Sequence, residues 1–245
     1  MIYEFEKQFW TIYLELVQMV NSEYKKLQCS YRQIYFTRLI YKLFGKFFGF
    51  KYSPSKAISF NRIFYHKNLL KNMAVFWLLN DKLGTLPDTI IDIGCGAAPS
   101  TLAYIKVKEI NNSKCSGIKW IDQSEPQLNI ARAFLGKLCT PTVMCEKAIF
   151  TEYSHYESLV VLSYVLCEQP NSIIDVCNNI KNFHEGIIII DYKKNIDKIK
   201  KRLSGKGYLL HWDINIKLPT DISNIVGEQY VQINGCFFKP KEISK

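Results

Sequence analysis

Between Tyr24 and Lys71 the chain carries no aspartate or glutamate, although the same stretch holds eleven lysines and arginines and thirteen tyrosines and phenylalanines. Ordinary solvated helices mix both signs, so this absence concentrates positive charge where a polyanion or an anionic surface would dock. No apolar run approaches the roughly 18 residues that a membrane span needs. The opening MIYEFEKQFW has two acids and no basic stretch leading into an apolar core, which argues against a signal peptide. The eight cysteines form no Cys-x-x-Cys pair, and contexts such as Gly94-Cys95-Gly96 read as strand or core. Reduced, buried thiols of a cytosolic protein are therefore expected, with no metal-ligand spacing. The four histidines, His66, His155, His184 and His211, stand in unrelated contexts and form no triad.

What is present suffices for a substantial core. The chain has 245 residues, 48% hydrophobic and 14% aromatic, enough for one domain with an extension. Its net charge of +10 is uneven: residues 1–86 hold 13 basic and 5 acidic side chains, whereas residues 87–245 hold 19 and 17. The expected division is a basic helical N-terminal region, 1–86, and an α/β domain, 87–245, with Gly84-Thr85-Leu86-Pro87 as the hinge. Apolar spacing predicts helices over 1–20, Tyr31–Phe44 and Asn61–Asn80. The second would place Arg38, Lys42 and Lys46 along one face.

From Asp88 onward strands alternate with helices, the pattern of a mainly parallel sheet covered on both faces. The strands read as Thr89–Ile93, Ser116–Ile121, Thr142–Glu146, Ser158–Leu166 and Gly186–Tyr192. Two more, Tyr208–Ile216 and Tyr230–Phe238, follow without a clear crossover helix.

The most informative segment is TIIDIGCGAAPSTLAYI, Thr89 to Ile105. A β-branched run ends at Asp92, two glycines follow at 94 and 96, and Pro99 takes a first helical position. Gly94 and Gly96 permit a tight turn and let a ligand lie against bare main chain. Pro99 lacks an N–H that would have no helical partner there. A dinucleotide turn would carry a third glycine or alanine near Ala97–Pro99 and a phosphate on the helix N-terminus. Here Asp92 adds a carboxylate, which repels phosphate and attracts a cationic ligand such as an aminoacyl sulfonium. Asp122 ends the next strand, where an acid accepts ribose hydroxyls; the other reading is a plain loop acid. Ser124-Glu125-Pro126-Gln127 looks like a capping box that relieves Asp122 of capping.

DIGCGAAPSTLA followed by IDQSEPQLNIAR resembles the first two motifs of class I S-adenosylmethionine-dependent methyltransferases. VVLSYVLCEQP, Val160 to Pro170, is similar to a segment of the Rsm22-like branch, the small-ribosomal-subunit methyltransferase-like proteins. The resemblance implies a Rossmann-like sheet, mainly parallel with its last strand antiparallel and inserted beside its predecessor, plus an N-terminal helical extension. It implies S-adenosyl-L-methionine as cofactor, held by Asp92, Gly94, Cys95, Gly96, Ala97, Asp122, Gln123 and Ser163. Glu146 and Lys147 would approach the adenine, although a surface acid is an equal reading of Glu146. Many amino-methylating relatives carry Asn/Asp-Pro-Pro-Tyr where this chain has Ser163-Tyr164-Val165-Leu166, which argues against that chemistry. Tyr164 either aligns an acceptor through its hydroxyl, the candidate catalytic role, or packs in the core. Glu168 is a candidate base or a helix-leading acid. Members of the Rsm22-like branch often carry a cysteine cluster for an iron–sulfur centre; this chain departs from that pattern and no metal is expected.

The expected function is methyl transfer to RNA, with ribosomal RNA the expected substrate, Arg38, Lys42 and Lys46 contacting phosphates and exposed aromatics stacking on bases. Three rivals stand beside it: a non-catalytic assembly factor, a small-molecule methyltransferase with a helical lid, and binding of the basic region to an anionic membrane surface.

Overall fold

The protein is described by a computed structural model that places residues 7–27, 53–135, 142–146, 158–165, 185–217 except 206, and 232–240, with Arg32, Ile34, Tyr35 and Leu39. The expected helix over Tyr31–Phe44, with Arg38, Lys42 and Lys46, falls largely outside the described residues, as do Lys147, Glu168, His155 and His184.

Two long helices come first. Helix α1, Lys7–Lys26, buries Phe9, Tyr13, Leu16, Val20 and Tyr24 along one stripe. It runs past the expected end near Val20 because Tyr24 still packs edge-on against Tyr65 and Phe134. Helix α2, Pro54–Leu83, opens on a proline in its first turn and ends at Gly84, whose φ is 79°. Its buried residues occupy more than one face, since it packs against α1 and against the two helices that follow. Phe9 and Trp77 meet edge to face at 5.4 Å.

The remaining elements among the described residues are β1 (Thr89–Ile93), α3 (Pro99–Ile110), β2 (Gly117–Ile121), α4 (Glu125–Leu135), β3 (Thr142–Glu146), β4 (Ser158–Ser163), β5 (Gly186–Ile190), α5 (Lys193–Ser204), β6 (Tyr208–Lys217) and β7 (Gln232–Pro240). The strands form one seven-stranded sheet in the order β3-β2-β1-β4-β5-β7-β6. β1 to β5 run parallel, and β7 slots antiparallel between β5 and β6. This is the expected mixed α/β sheet with its last strand reversed.

Alternation sorts the core into two layers. Ile90 faces α1 to α4 and joins their apolar side chains, so the N-terminal helices share one core with the sheet. Ile91 and Ile93 face the other way, with Ile196, Ile199 and Leu203 of α5. The fourth strand ends at Ser163, three residues before the expected Leu166. Tyr164 takes a left-handed φ of 60° and turns the chain out of the sheet.

Candidate functional site

In parallel α/β sheets, ligands collect outside the carboxyl ends of the strands where strand order reverses. Here that reversal lies between β1 and β4. Register brings the relevant ends side by side: Ile93 is level with Ile121 and with Leu162, and Ile121 with Glu146.

The turn after β1 is built from backbone. Gly94 and Cys95 both donate to the Ile121 carbonyl, at 2.7 and 3.2 Å. Gly94, Gly96 and Ala98 all have positive φ, at 65°, 57° and 58°. The two glycines differ in what surrounds them. A Cβ on Gly94 would lie 2.5 Å from Cγ2 of Val165, so a close packing contact occupies that side. A Cβ on Gly96 would meet nothing within 4 Å. Bare main chain therefore borders open space at Gly96 and a side chain at Gly94. Cys95 and Ala97 are buried on the inner side of the bend, and Cys95 Sγ points to the Gly96 carbonyl.

Asp122 closes the turn from β2. Its Oδ2 accepts the Gly96 N–H at 2.8 Å and its Oδ1 accepts the Ser124 N–H at 2.7 Å. The expected capping box is thereby altered. Ser124 Oγ does receive the Gln127 N–H, at 3.4 Å, but the Gln127 side chain accepts from Asn61 Nδ2 at 2.5 Å instead of reaching back. Asp122 supplies the acceptor for Ser124, so capping is part of its work after all. Burial pushes the Asp122 carboxyl above the usual carboxylate range, while the two N–H donors pull it down. Gln123, beside it, is exposed.

Asp92 sits behind the turn. It is fully buried; its Oδ2 accepts from the hydroxyls of Ser100 and Thr101, and Trp120 Nε1 donates to Thr101 at 3.0 Å. The acid thus ties β1 to the first turn of α3. Its Oδ1 has no hydrogen-bond partner. Burial pushes its pKa up to about 6, against the two hydroxyl bonds and with added repulsion from Asp122.

Across the switch point, β4 ends in Ser163 and Tyr164. Asn72 of α2 donates to Ser163 Oγ at 2.9 Å, and Lys71 Nζ lies 4.7 Å from the centre of the Tyr164 ring. Tyr192, at the end of β5, meets Tyr164 edge to face at 5.9 Å and is half exposed. Tyr164 is held by its N–H to the Ile190 carbonyl at 2.8 Å, which keeps a non-glycine residue in a sparsely populated conformation. The Tyr164 side chain is partly buried and packs against the apolar cluster shared by the N-terminal helices and the sheet.

Asp92, Gly94, Cys95, Gly96, Ala97, Asp122, Gln123, Ser163 and Tyr164 thus gather at neighbouring strand ends. The backbone of Glu146 closes β3 one strand farther out. His66 hydrogen-bonds Asn21 between α2 and α1, and His211 lies on β6, so neither joins this group. Among the described residues no group of three or more His, Cys, Asp or Glu could hold a metal ion. Sequence spacing missed Lys71, Asn72, Val165 and Tyr192. The first two lie in what reads as a core helix, and only their polarity amid LLKNMAVFW marks them.

An open hollow of about 510 Å³ lies elsewhere, bounded by Thr85, Pro87, Asp88, Ser116, Glu185 and Lys239. It is at the amino ends of the strands, the wrong end for a ligand in such a sheet.

No family model matches the sequence, and no curated protein matches it. Solved structures share its fold. Magnesium protoporphyrin IX methyltransferase from Synechocystis, with bound SAM, is 12% identical; the match covers 86% of this chain and 99% of that one, with a TM-score of 0.53. A Pyrococcus horikoshii protein assigned as an RNA methyltransferase is 10% identical over 71% and 83% of the two chains, with a TM-score of 0.52. Ribosomal protein L11 methylase from Lactobacillus delbrueckii is 12% identical over 72% and 80%, with a TM-score of 0.50. The chain has the fold of S-adenosylmethionine-dependent methyltransferases. No helix among the described residues is long and apolar enough to cross a membrane.

Proposed function

We propose that this chain is an S-adenosylmethionine-dependent methyltransferase acting on RNA, related to the Rsm22-like branch, with residues 1–86 docking the substrate and residues 87–245 holding the cofactor. The observation that carries the reading is the bond from Gly96 N–H to Asp122 Oδ2, which fixes a carboxylate beside a stretch of main chain with open space over it. A carboxylate has about four lone-pair sites and Asp122 uses two, so two remain for the hydroxyls of a ribose.

The donor set fits an adenosyl group carrying positive charge. Asp92 and Asp122 place two carboxyls at the bend, one with an unpartnered oxygen. Cys95, Ala97, Gln123 and Ser163 would line the same ligand, Gly94 would shape the bend, and Glu146 and Lys147 would flank the base. When bound, the cofactor supplies a methyl already activated on sulfur. The chain's task is then to orient an acceptor in line about 3 Å away. Tyr164, which meets Lys71 and Tyr192, would orient it, and Arg38, Lys42 and Lys46 would contact phosphates.

Calorimetry with S-adenosylmethionine tests the cofactor: the wild-type chain binds it and Asp122→Ala weakens binding at least tenfold. No binding by the wild type overturns the proposal. Methyl-label transfer to total RNA, against a metabolite extract, tests the acceptor. The alternative of a small-molecule enzyme with a helical lid is favoured by one observation, that α2 reaches over Ser163 and Tyr164. It predicts label in the metabolite pool alone. Cofactor binding with no transfer to either pool marks an assembly factor.

A further inference from the structure

Helix α5 begins next to the tyrosine pair and carries a row of cations. Its inner side buries Asn195, Ile196, Ile199 and Leu203. Its outer side exposes Lys194, Lys198, Lys201 and Arg202, each four residues or fewer from the next. Four residues of helix advance about 6 Å, so the row presents positive charges at intervals comparable to consecutive phosphates of an extended single strand.

On the other helices Lys26 pairs with Glu23, Lys106 with Glu109 and Arg132 with Glu125, while the exposed Lys7, Lys25, Lys56 and Lys82 have no ion pair among the described residues but are scattered and form no row. On α5 itself Lys193 pairs with Asp197 and Lys200 with Asp213. Lys194, Lys198, Lys201 and Arg202 make no ion pair among the described residues. The acid at 197 is thus drawn to one flank and the row stays uncompensated. The chemistry of the outer side selects the partner. It holds no apolar side chain to enter a bilayer, which separates it from a membrane-binding helix. At its amino end stand two aromatic rings, Tyr192 and Tyr164, with Lys71 over the second. Aromatic rings beside a cationic track are how single-stranded nucleic acid is held without sequence readout.

We propose that the outer side of α5 is a docking track for single-stranded RNA, which leads a nucleotide onto Tyr192 beside Tyr164. The proposal rests on the RNA reading above and adds a second contact surface, on the sheet domain itself. From Tyr192 to Arg202 the helix spans about 15 Å, room for two or three nucleotides. Asp191 fixes the approach: it is buried, and its Oδ1 accepts both the Tyr192 N–H and Asn195 Nδ2, at 2.7 Å each.

The test uses the full chain and a labelled, mixed-sequence single-stranded RNA, read by fluorescence anisotropy across a salt series. The variant Lys194→Gln/Lys198→Gln/Lys201→Gln/Arg202→Gln is expected to bind at least tenfold more weakly. Its salt slope should fall by about 3, at roughly 0.7 per charge removed. Tyr192→Ala should weaken binding at least about fivefold and leave the slope unchanged, the mark of lost stacking. Lys114→Gln, away from α5 and outside residues 1–86, should retain wild-type affinity. RNA affinity unchanged in the fourfold variant overturns the proposal. So does equal, α5-dependent binding of polyglutamate or phosphatidylserine vesicles. Calorimetry with S-adenosylmethionine on the same proteins separates the two readings. Intact cofactor binding with unaltered RNA affinity removes the track alone, and absent cofactor binding in the wild type removes the methyltransferase reading alone.

Discussion

Asn72, midway along α2, donates a hydrogen bond to Ser163 Oγ at the end of β4, 2.9 Å away and 91 residues distant in sequence. The amide is fully buried, and its other hydrogen goes to the Asn68 carbonyl at 2.7 Å. Two acceptors therefore fix which way the amide faces and leave Oδ1 with no partner. A helix of the N-terminal region thus holds one wall of the site. Asn72→Ala is expected to lower unfolding stability by about 2 kcal/mol, from a lost hydrogen bond and a small cavity. In methyl-transfer assays it should reduce kcat and leave the cofactor Kd within twofold. An unchanged kcat would confine Asn72 to a structural role.

The two glycines of the bend should respond differently to the same change. Gly94→Ala adds a Cβ 2.5 Å from Val165 at a φ of 65°, so both a clash and a left-handed strain oppose it. A loss of about 3 kcal/mol is expected, and Val165→Ala in the same chain should recover part of it. Gly96→Ala meets no neighbour and carries only the strain, about 1–2 kcal/mol. Its larger effect should be on S-adenosylmethionine affinity, because the methyl enters the open space. Denaturant titration and calorimetry on the three variants check the ordering.

Asp92 makes stability depend on pH in an unusual direction for an acid. Its folded-state pKa is raised to about 6, above an ordinary 3.8, because burial disfavours its charged form. Between those values the folded chain binds more protons than the unfolded chain, so stability falls as pH rises. The stabilising term is full below about pH 4 and gone above about pH 6. Asp122, raised for the same reason, acts in the same sense. At neutral pH the cost of the Asp92 charge is about 3 kcal/mol by the usual conversion. Subtracting an Asp92→Asn stability profile from the wild-type profile, pH 4 to 7, should leave a term that falls with pH. A difference that rises over that interval would overturn the burial account.

Much of this site is written locally and some of it is not. The strand, double-glycine turn and proline-started helix from Thr89 to Ile105 follow from propensity and backbone freedom within 17 residues, and they fold as read. The last two strands follow from their residue patterns, whereas the reversal of the final one is implied only by the methyltransferase resemblance. Strand β4 ends early because Tyr164 enters a left-handed conformation, which no residue type at that position announces. Asn61 captures Gln127 across 66 residues, and so the capping box is rewired by a tertiary contact that spacing rules do not see. The cationic row on α5 is visible in KKNIDKIKKRLS, yet its meaning comes from two ion pairs that take Asp197 and Asp213 away from it.

Lys108 decides how the N-terminal helices are joined to the sheet. Its side chain is fully buried, and Nζ donates to the carbonyls of Leu86 and Pro87, at 2.8 and 3.0 Å, and to Asp88 Oδ1 at 2.7 Å. All three donors of the ammonium are used, each on the segment that links α2 to β1. Tyr104, one turn earlier on α3, also donates its hydroxyl to the Pro87 carbonyl. The Asp88 side chain is 74% exposed, so its charge is well screened and contributes little on its own. The backbone acceptors carry the latch: Lys108→Met keeps the buried stem but removes the ammonium's bonds to both carbonyls, which keep only the Tyr104 and Thr85 hydroxyls, at an expected cost of about 2 kcal/mol. Asp88→Asn should cost under about 1 kcal/mol. Denaturant midpoints for the two variants measure the contrast. If Asp88→Asn proved as damaging as Lys108→Met, the ion pair, and not the carbonyl pair, would be what holds α2 to the first strand.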